Sequence, residues 1–138
     1  MPRTVSELMT PHPTVVEVTD TLHAVAQTMA TQDVGSLVVA EGGAVVGIVT
    51  DRDLVVRGLA EGIGLDAPVG QLASEELVTV GPDDDLAEVV RLMREKAVRR
   101  VPVVEGDQAV GILSLGDLAQ ALDPDSALAD ISAAAPDE

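Results

Sequence analysis

The chain has 138 residues, a formal net charge of −16, no cysteine and no aromatic residue. This composition excludes disulfide frameworks, thiol nucleophiles and thiolate metal sites, and two histidines are too few for a usual zinc site. The strong acidity disfavours nucleic acid and anionic membranes as partners, because their phosphate groups are repelled. No apolar stretch has the length of a signal peptide or a membrane span, which predicts a cytoplasmic protein.

The predicted elements follow the apolar spacing along the chain. In the first half they are a strand at 14–18, a helix from Leu22, strands at 36–40 and 44–49, and a helix from Thr50 to Val56. In the second half they are a strand at 78–80, a helix at 84–96, strands at 101–104 and 109–113, and a helix at 114–122. Asp20 or Thr21 is expected to cap the first helix, and Glu41-Gly42-Gly43 to form a hairpin turn.

The second half of the sequence repeats the first at a constant offset of 64 residues. Without a gap, 16 of the 50 positions from Val5 to Leu54 are identical to their counterparts. Such self-similarity indicates an internal duplication. The boundaries it predicts are a first repeat at 5–57, a linker at 58–68, a second repeat at 69–122 and an acidic, alanine-rich tail at 123–138.

Each repeat has the predicted order β-α-β-β-α, which places the protein in the α/β (α+β) class. A three-stranded sheet with helices on one face leaves its other face uncovered. The duplicate supplies a partner sheet. We therefore expect the two repeats to pack sheet to sheet about a pseudo-twofold axis.

One motif occurs at equivalent points of both repeats. The segments Gly47-Ile48-Val49-Thr50-Asp51-Arg52-Asp53 and Gly111-Ile112-Leu113-Ser114-Leu115-Gly116-Asp117 resemble the G-x-x-[ST]-x-x-D signature of CBS (cystathionine-β-synthase) domains. The resemblance covers residues 5 to 122. The chain is also similar to stand-alone CBS pairs of the hypoxic-response type. It implies binding of an adenosine derivative in the cleft between the repeats, and pairing into a disk-shaped dimer.

The motif has two interpretations from its chemistry. In the first, Thr50 with Asp53, and Ser114 with Asp117, are variants of the helix capping box. In the second, each carboxylate also accepts hydrogen bonds from a ribose diol, as acidic residues do in dinucleotide-binding folds, and the Thr50 and Ser114 hydroxyls also face the ligand. The family resemblance favours the ribose interpretation at both aspartates.

Basic residues crowd into one part of the second repeat: Arg91, Arg94, Lys96, Arg99 and Arg100. The first three are expected on a solvated helix face, with Arg91 paired to Glu95. Arg99 and Arg100 begin a strand where related CBS domains carry phosphate-binding cations, and guanidinium groups suit phosphate oxygens. The first repeat has Gly35 and Ser36 at these positions, so the two clefts are predicted to differ.

An adenine ring needs an apolar slot, which in this chain must be aliphatic. The candidates are Val15 and Val34 in one repeat and Val78 and Val98 in the other. The alternative is that all four are ordinary core residues.

The sequence contains no Walker loop, dinucleotide fingerprint, zinc-protease motif or nucleophile elbow, which predicts a protein that is not an enzyme. Two hypotheses remain. One is a sensor that binds an adenosine derivative (AMP, ADP or ATP before S-adenosylmethionine or NAD) and acts in trans on an unknown protein. The other is a ligand-independent, stress-related interaction module with vestigial clefts. A homodimer is expected, because Leu54-Val55-Val56 and residues 118–122 offer apolar helix surfaces.

Overall fold

The computed structural model describes residues 3–72 and 77–122, so the predicted tail at 123–138 lies outside the described residues. Within those ranges the fold is of the predicted mixed α/β class, with two three-stranded sheets and four α-helices. The strands are β1 (Thr10–Pro11), β2 (Val15–Glu17), β3 (Ser36–Glu41), β4 (Ala44–Thr50), β5 (Arg100–Glu105) and β6 (Gln108–Ser114). The α-helices are α1 (Leu22–Gln32), α2 (Asp51–Asp53), α3 (Leu86–Lys96) and α4 (Leu115–Leu122).

The described residues group into two compact units. One, the first-repeat unit, contains residues 14–72 and Leu77. The other, the second-repeat unit, contains residues 78–122 together with residues 3–13. The opening segment of the chain therefore belongs to the unit of the second repeat.

The first-repeat unit holds a sheet of order β2-β3-β4, with β2 parallel and β4 antiparallel to β3. The predicted hairpin turn is present, and Gly42 and Gly43 adopt positive φ angles of 61° and 91° that favour glycine. Of the two candidate caps for α1, Thr21 is the one used: its Oγ1 accepts from the Ala24 N–H at 3.1 Å. The core under this sheet is aliphatic and includes Val25, Leu37, Val39 and Val49.

The second-repeat unit holds a sheet of order β1-β6-β5. Strand β1, which the sequence pattern did not predict, pairs antiparallel with β6 and places Thr10 opposite Ile112. The core is again aliphatic, with Val89, Met93, Val101 and Leu113 buried together. Each unit thus has its own hydrophobic core.

The strand predicted at 78–80 is wrong in extent, because only Val80 forms a bridge, to Val103. Two prolines explain the loss. In the first repeat the Val38 N–H donates to the Thr14 carbonyl and the Val18 N–H to the Ala40 carbonyl. Pro102 and Pro82 occupy the positions equivalent to the two donors and have no N–H to offer.

The second helix of the first repeat also differs from prediction. After α2 the chain continues as a π-helix, Leu54–Leu59, in which the Ala60 N–H donates to the Val55 carbonyl at 2.9 Å. Val55 and Val56 are exposed as expected, but Leu54 packs against the core. In α4 Leu118 is buried in the core, so it does not belong to an exposed apolar surface.

Candidate ligand-binding site

Both copies of the motif form reciprocal caps at a helix start. The Asp53 N–H donates to Thr50 Oγ1 at 3.1 Å, and the Thr50 N–H donates to Asp53 Oδ2 at 2.8 Å. The corresponding distances for Asp117 and Ser114 are 3.1 and 3.0 Å. The capping interpretation of the motif is therefore confirmed in both repeats.

The caps do not use the whole of either carboxylate. Asp53 and Asp117 are half-buried, and Oδ2 of each accepts the capping hydrogen bond. Among the described residues, neither Oδ1 accepts a hydrogen bond. Since a carboxylate oxygen offers two acceptor positions, each aspartate retains the capacity to bind a diol.

The second repeat brings its candidate residues together at one end of its sheet. We call Arg99, Arg100, Ser114 and Asp117 the second corner. Arg100 lies opposite Ser114 in the β5–β6 ladder, and the Leu115 N–H donates to the Arg99 carbonyl at 2.7 Å. The ladder therefore holds the cationic strand start beside the capped helix start.

The two arginines of this corner differ in their surroundings. Arg99 is exposed, and its side chain makes no hydrogen bond or ion pair with any described residue. Arg100 is half-buried and interacts within the chain. Arg99 is thus the cation that solvent and solutes can reach most directly.

The first repeat builds the same corner from Gly35, Ser36, Thr50 and Asp53, which we call the first corner. Ser36 lies opposite Thr50, and the Asp51 N–H donates to the Gly35 carbonyl at 2.9 Å. Backbone geometry is shared with the second corner, but the strand start has no cation. The two corners therefore share a backbone arrangement and differ in the side chains at the strand start.

Charges beyond the motif residues increase this inequality, and the sequence reasoning missed them. Asp33 and Ala97 are equivalent helix-terminal residues, both in the left-handed region, with φ of 55° and 54°. The offset of 64 residues also matches the exposed Asp51 with Leu115. Two further carboxylates, Asp33 and Asp51, thus lie close in sequence to the first corner. The cation nearest to it in sequence is the exposed Arg52. Reading the charges position by position along the repeat reveals this difference.

The four candidate slot valines fall into two classes. Val15 and Val34 are exposed, at 43% and 37%, whereas Val78 and Val98 are half-buried and pack against the core of their unit. Val15 lies opposite Val38, four positions beyond Val34 in sequence, so the sheet register does not pair the two candidates of the first repeat. An adenine slot at these valines stays a prediction.

The other three basic residues of the second-repeat cluster, Arg91, Arg94 and Lys96, lie on α3. Arg91 pairs with Glu88 at 3.2 Å on the exposed helix surface, so the expected partner Glu95 is wrong. Residues three and four apart are both neighbours on a helix, and here the partner lies three residues before Arg91. Such an exposed ion pair contributes little to the free energy of unfolding. The second corner is therefore the cationic feature considered for ligand binding.

The described residues offer no metal centre, since none of their His, Asp and Glu side chains gather in groups of three or more that could hold an ion. His12 and His23 belong to different units. Over residues 3–72 and 77–122, no helix combines the length and apolar character that crossing a membrane requires.

Comparison with known proteins identifies the family. The chain matches the family model of the CBS domain over residues 5–58 and 69–124. The chain belongs to the CBS domain family. It is a CBS pair, and such pairs are generally regulatory, ligand-binding modules.

Two curated relatives align with most of the chain. The CBS domain-containing protein YhcV of Bacillus subtilis is 36% identical over 115 residues, which are 83% of this chain and 82% of that protein. Hypoxic response protein 1 of Mycobacterium tuberculosis is 36% identical over 121 residues, covering 86% and 85% of the two chains.

The fold has a solved counterpart in the crystal structure of hypoxic response protein I with two coordinated zinc ions. Its TM-score to this chain is 0.77 at 35% identity, covering 88% of this chain and 99% of that one. The resemblance to stand-alone CBS pairs of the hypoxic-response type is thereby confirmed. The zinc ions are a property of that protein, and the present chain contains no cysteine to ligate zinc.

Proposed function

We propose that this protein is a non-enzymatic sensor that binds an adenosine derivative at the second corner and relays its occupancy to another protein. The proposed ligands are AMP, ADP and ATP, which rank ahead of S-adenosylmethionine and NAD. Membership of a family of regulatory, ligand-binding modules supports the class of function. The residues of the second corner support the choice of a phosphorylated ligand.

One observation carries this choice. The strand register and the 2.7 Å hydrogen bond from the Leu115 N–H to the Arg99 carbonyl hold the backbone of the exposed Arg99 next to the helix start that Asp117 caps. A guanidinium binds phosphate oxygens through charge-assisted hydrogen bonds, and Asp117 Oδ1 can accept from a ribose diol. A nucleoside monophosphate carries both complementary groups within one small molecule.

The experiment that tests the proposal is titration calorimetry of the intact protein with AMP and with adenosine at two salt concentrations. AMP should bind more tightly than adenosine, and its advantage should shrink as salt screens the phosphate. A ligand at a hundredfold excess over its Kd should also stabilise the fold by about 2.7 kcal/mol in a thermal shift assay. Equal binding of adenosine and AMP would assign the arginines to the fold or to a protein partner.

We also propose that the module acts as a cytoplasmic homodimer. The π-helix after the first motif exposes Val55, Val56 and Leu59 at 55%, 43% and 63%. Adjacent exposed apolar side chains of this kind are typical of self-association surfaces. Light scattering should give twice the 14.2 kDa of the chain, and Val56→Lys with Leu59→Lys should reduce the mass to that of one chain.

The same apolar surface favours a second candidate function, a ligand-independent interaction module for a stress-response partner. In that case the aspartates serve as helix caps alone. No adenosine compound would then shift the melting temperature, while the dimer would persist. The calorimetry and light scattering above therefore separate the two candidates.

A further inference from the structure

The first residues of the chain lie along the second-repeat unit. The Val5 N–H donates to the Asp84 carbonyl at 3.0 Å, and the Ser6 N–H donates to the Pro82 carbonyl at 2.8 Å. In return, the Leu86 N–H donates to the Arg3 carbonyl at 2.9 Å. These backbone bonds join the opening segment to the start of α3.

Side chains of the same segment complete the core of that unit. Val5 is fully buried among the core residues, and Leu8 and Met9 pack against them. At Thr10 the segment adds a strand to β6. The approach is so close that a Cβ on Gly111 would lie 2.5 Å from Met9 Sδ and 2.9 Å from the Thr10 carbonyl oxygen.

The first-repeat unit is completed in the same way by residues 65–72. The Leu22 N–H donates to the Ala67 carbonyl at 3.0 Å, and the Val69 N–H donates to the Asp20 carbonyl at 2.7 Å. Val69 and Leu72 are buried in that core. By the 64-residue offset Val69 is the counterpart of Val5, so each unit buries the opening residues of the other repeat.

We infer that residues 3–13 are a docking strap, a peptide segment that binds the apolar surface of the second-repeat unit and controls the order of its ligand corner. The segment buries Val5 within a short 3-10 helix, Val5–Glu7, and then adds a strand to β6 at Thr10. Strand addition is a known mode of peptide recognition. Because the strap holds β6, which ends at Ser114, its release loosens the elements that position Asp117. This inference does not depend on the identity of any ligand.

Hydrogen exchange of the full chain tests the inference with a matched pair of variants. Val5→Ala should raise amide exchange in α3, β5 and β6 by at least about tenfold, because it leaves a cavity under the strap, while β3 and β4 stay protected. Val69→Ala should do the reverse. If Val5→Ala loosened β3 and β4 as much as β5 and β6, the strap would not serve the second-repeat unit.

A second pair keeps the test independent of core cavities. Gly111→Ala forces the strap away from β6, whereas Gly64→Ala introduces a methyl group into open space at a glycine of ordinary φ. Only Gly111→Ala should increase exchange in β6. Unchanged exchange in both variants would overturn the strap assignment.

A peptide experiment decides whether the segment docks as a separable unit. A synthetic peptide of residues 1–13, added to the Val5→Ala chain, should restore protection of β6, and the same peptide carrying Val5→Asp should not. Millimolar peptide is required, because a tethered competitor has an effective concentration in that range. Failure of the native peptide to restore protection would show that the segment is an integral part of the core rather than a docking strap.

Discussion

The two corners of this protein share one backbone arrangement but carry side chains of opposite net charge. Both have a reciprocal Ser/Thr–Asp cap, a left-handed residue that ends the preceding helix, and an N–H to carbonyl bond that joins helix start to strand start. The strand start carries Arg99 and Arg100 in one corner and Gly35 and Ser36 in the other. The capping residues are therefore of the same type in both corners, while the residues at the strand start differ. The two corners therefore differ in side-chain charge on a shared backbone arrangement.

Removing the cations of the second corner should have the largest effect. Arg99→Ala with Arg100→Ala should reduce AMP affinity by about a hundredfold, to the level of adenosine. At about 4 Å a unit charge pair gains roughly 4 kcal/mol at an effective dielectric of 20, which exceeds the screened repulsion of distant carboxylates. Calorimetry with both ligands measures the change.

The matched control for that variant is Arg91→Ala with Arg94→Ala. It removes the same charge from the exposed surface of α3. AMP affinity should change little in the control. A loss equal to that of the corner variant would mean that net charge, rather than the corner, attracts the phosphate.

Next in size, Asp117→Ala should weaken AMP binding by tenfold or more, whereas Asp53→Ala should have little effect. A hydrogen bond to a charged group contributes about 1.5–3 kcal/mol, and the second corner alone adds strand cations to its carboxylate. Because each substitution also breaks a cap, Asp117→Asn serves as the control, since its amide oxygen can still accept the capping hydrogen bond from the Ser114 N–H without the charge. Equal losses at Asp117 and Asp53 would show that both corners bind the ligand alike.

The left-handed residues offer a smaller test on stability. Ala97 has φ of 54°, where a Cβ is strained, so Ala97→Gly should raise the free energy of unfolding by about 0.5–1 kcal/mol. Asp33→Gly should gain less, because aspartate tolerates this conformation. Urea denaturation measures both. Ala60→Gly is the control and should destabilise, since Ala60 has an ordinary helical φ of −64°.

The smallest expected effect concerns pH and the strap. The Thr4 hydroxyl, with the N–H groups of Arg3 and Thr4, holds the pKa of Glu7 below its usual value of 4.5. The ionised form is therefore favoured in the folded protein, and its contribution is present above the usual pKa and lost as pH falls through the lowered one. Glu7→Gln should make strap stability less dependent on pH between about 5 and 3. Hydrogen exchange of β6 in both proteins measures the difference, because Glu7→Gln changes this one carboxyl; identical pH profiles would contradict the prediction.

Much of the candidate site was predictable because it depends on local chemistry. The caps at Thr50 and Ser114 follow from residue types three apart, and the contrast of Arg99 with Gly35 follows from alignment of the repeats. The shortened strand at 78–80 was also encoded, in Pro82 and Pro102. The effect of these prolines depends on the strand partner, because a missing N–H shortens a strand only where a carbonyl of the neighbouring strand would have accepted from it.

The sequence by itself determined the duplication, the α/β class, the family and the residues of both corners, since these depend on spacing and residue type within a few positions. The tertiary structure alone decided which core each opening segment completes. Val5 and Val69 occupy equivalent positions in similar sequence segments. The hydrophobic effect is non-directional, so the sequence pattern alone would allow either core to bury either valine. The backbone bonds of Val5 to Asp84 and of Val69 to Asp20 settle the pairing, because only long-range contacts show which donors and acceptors meet.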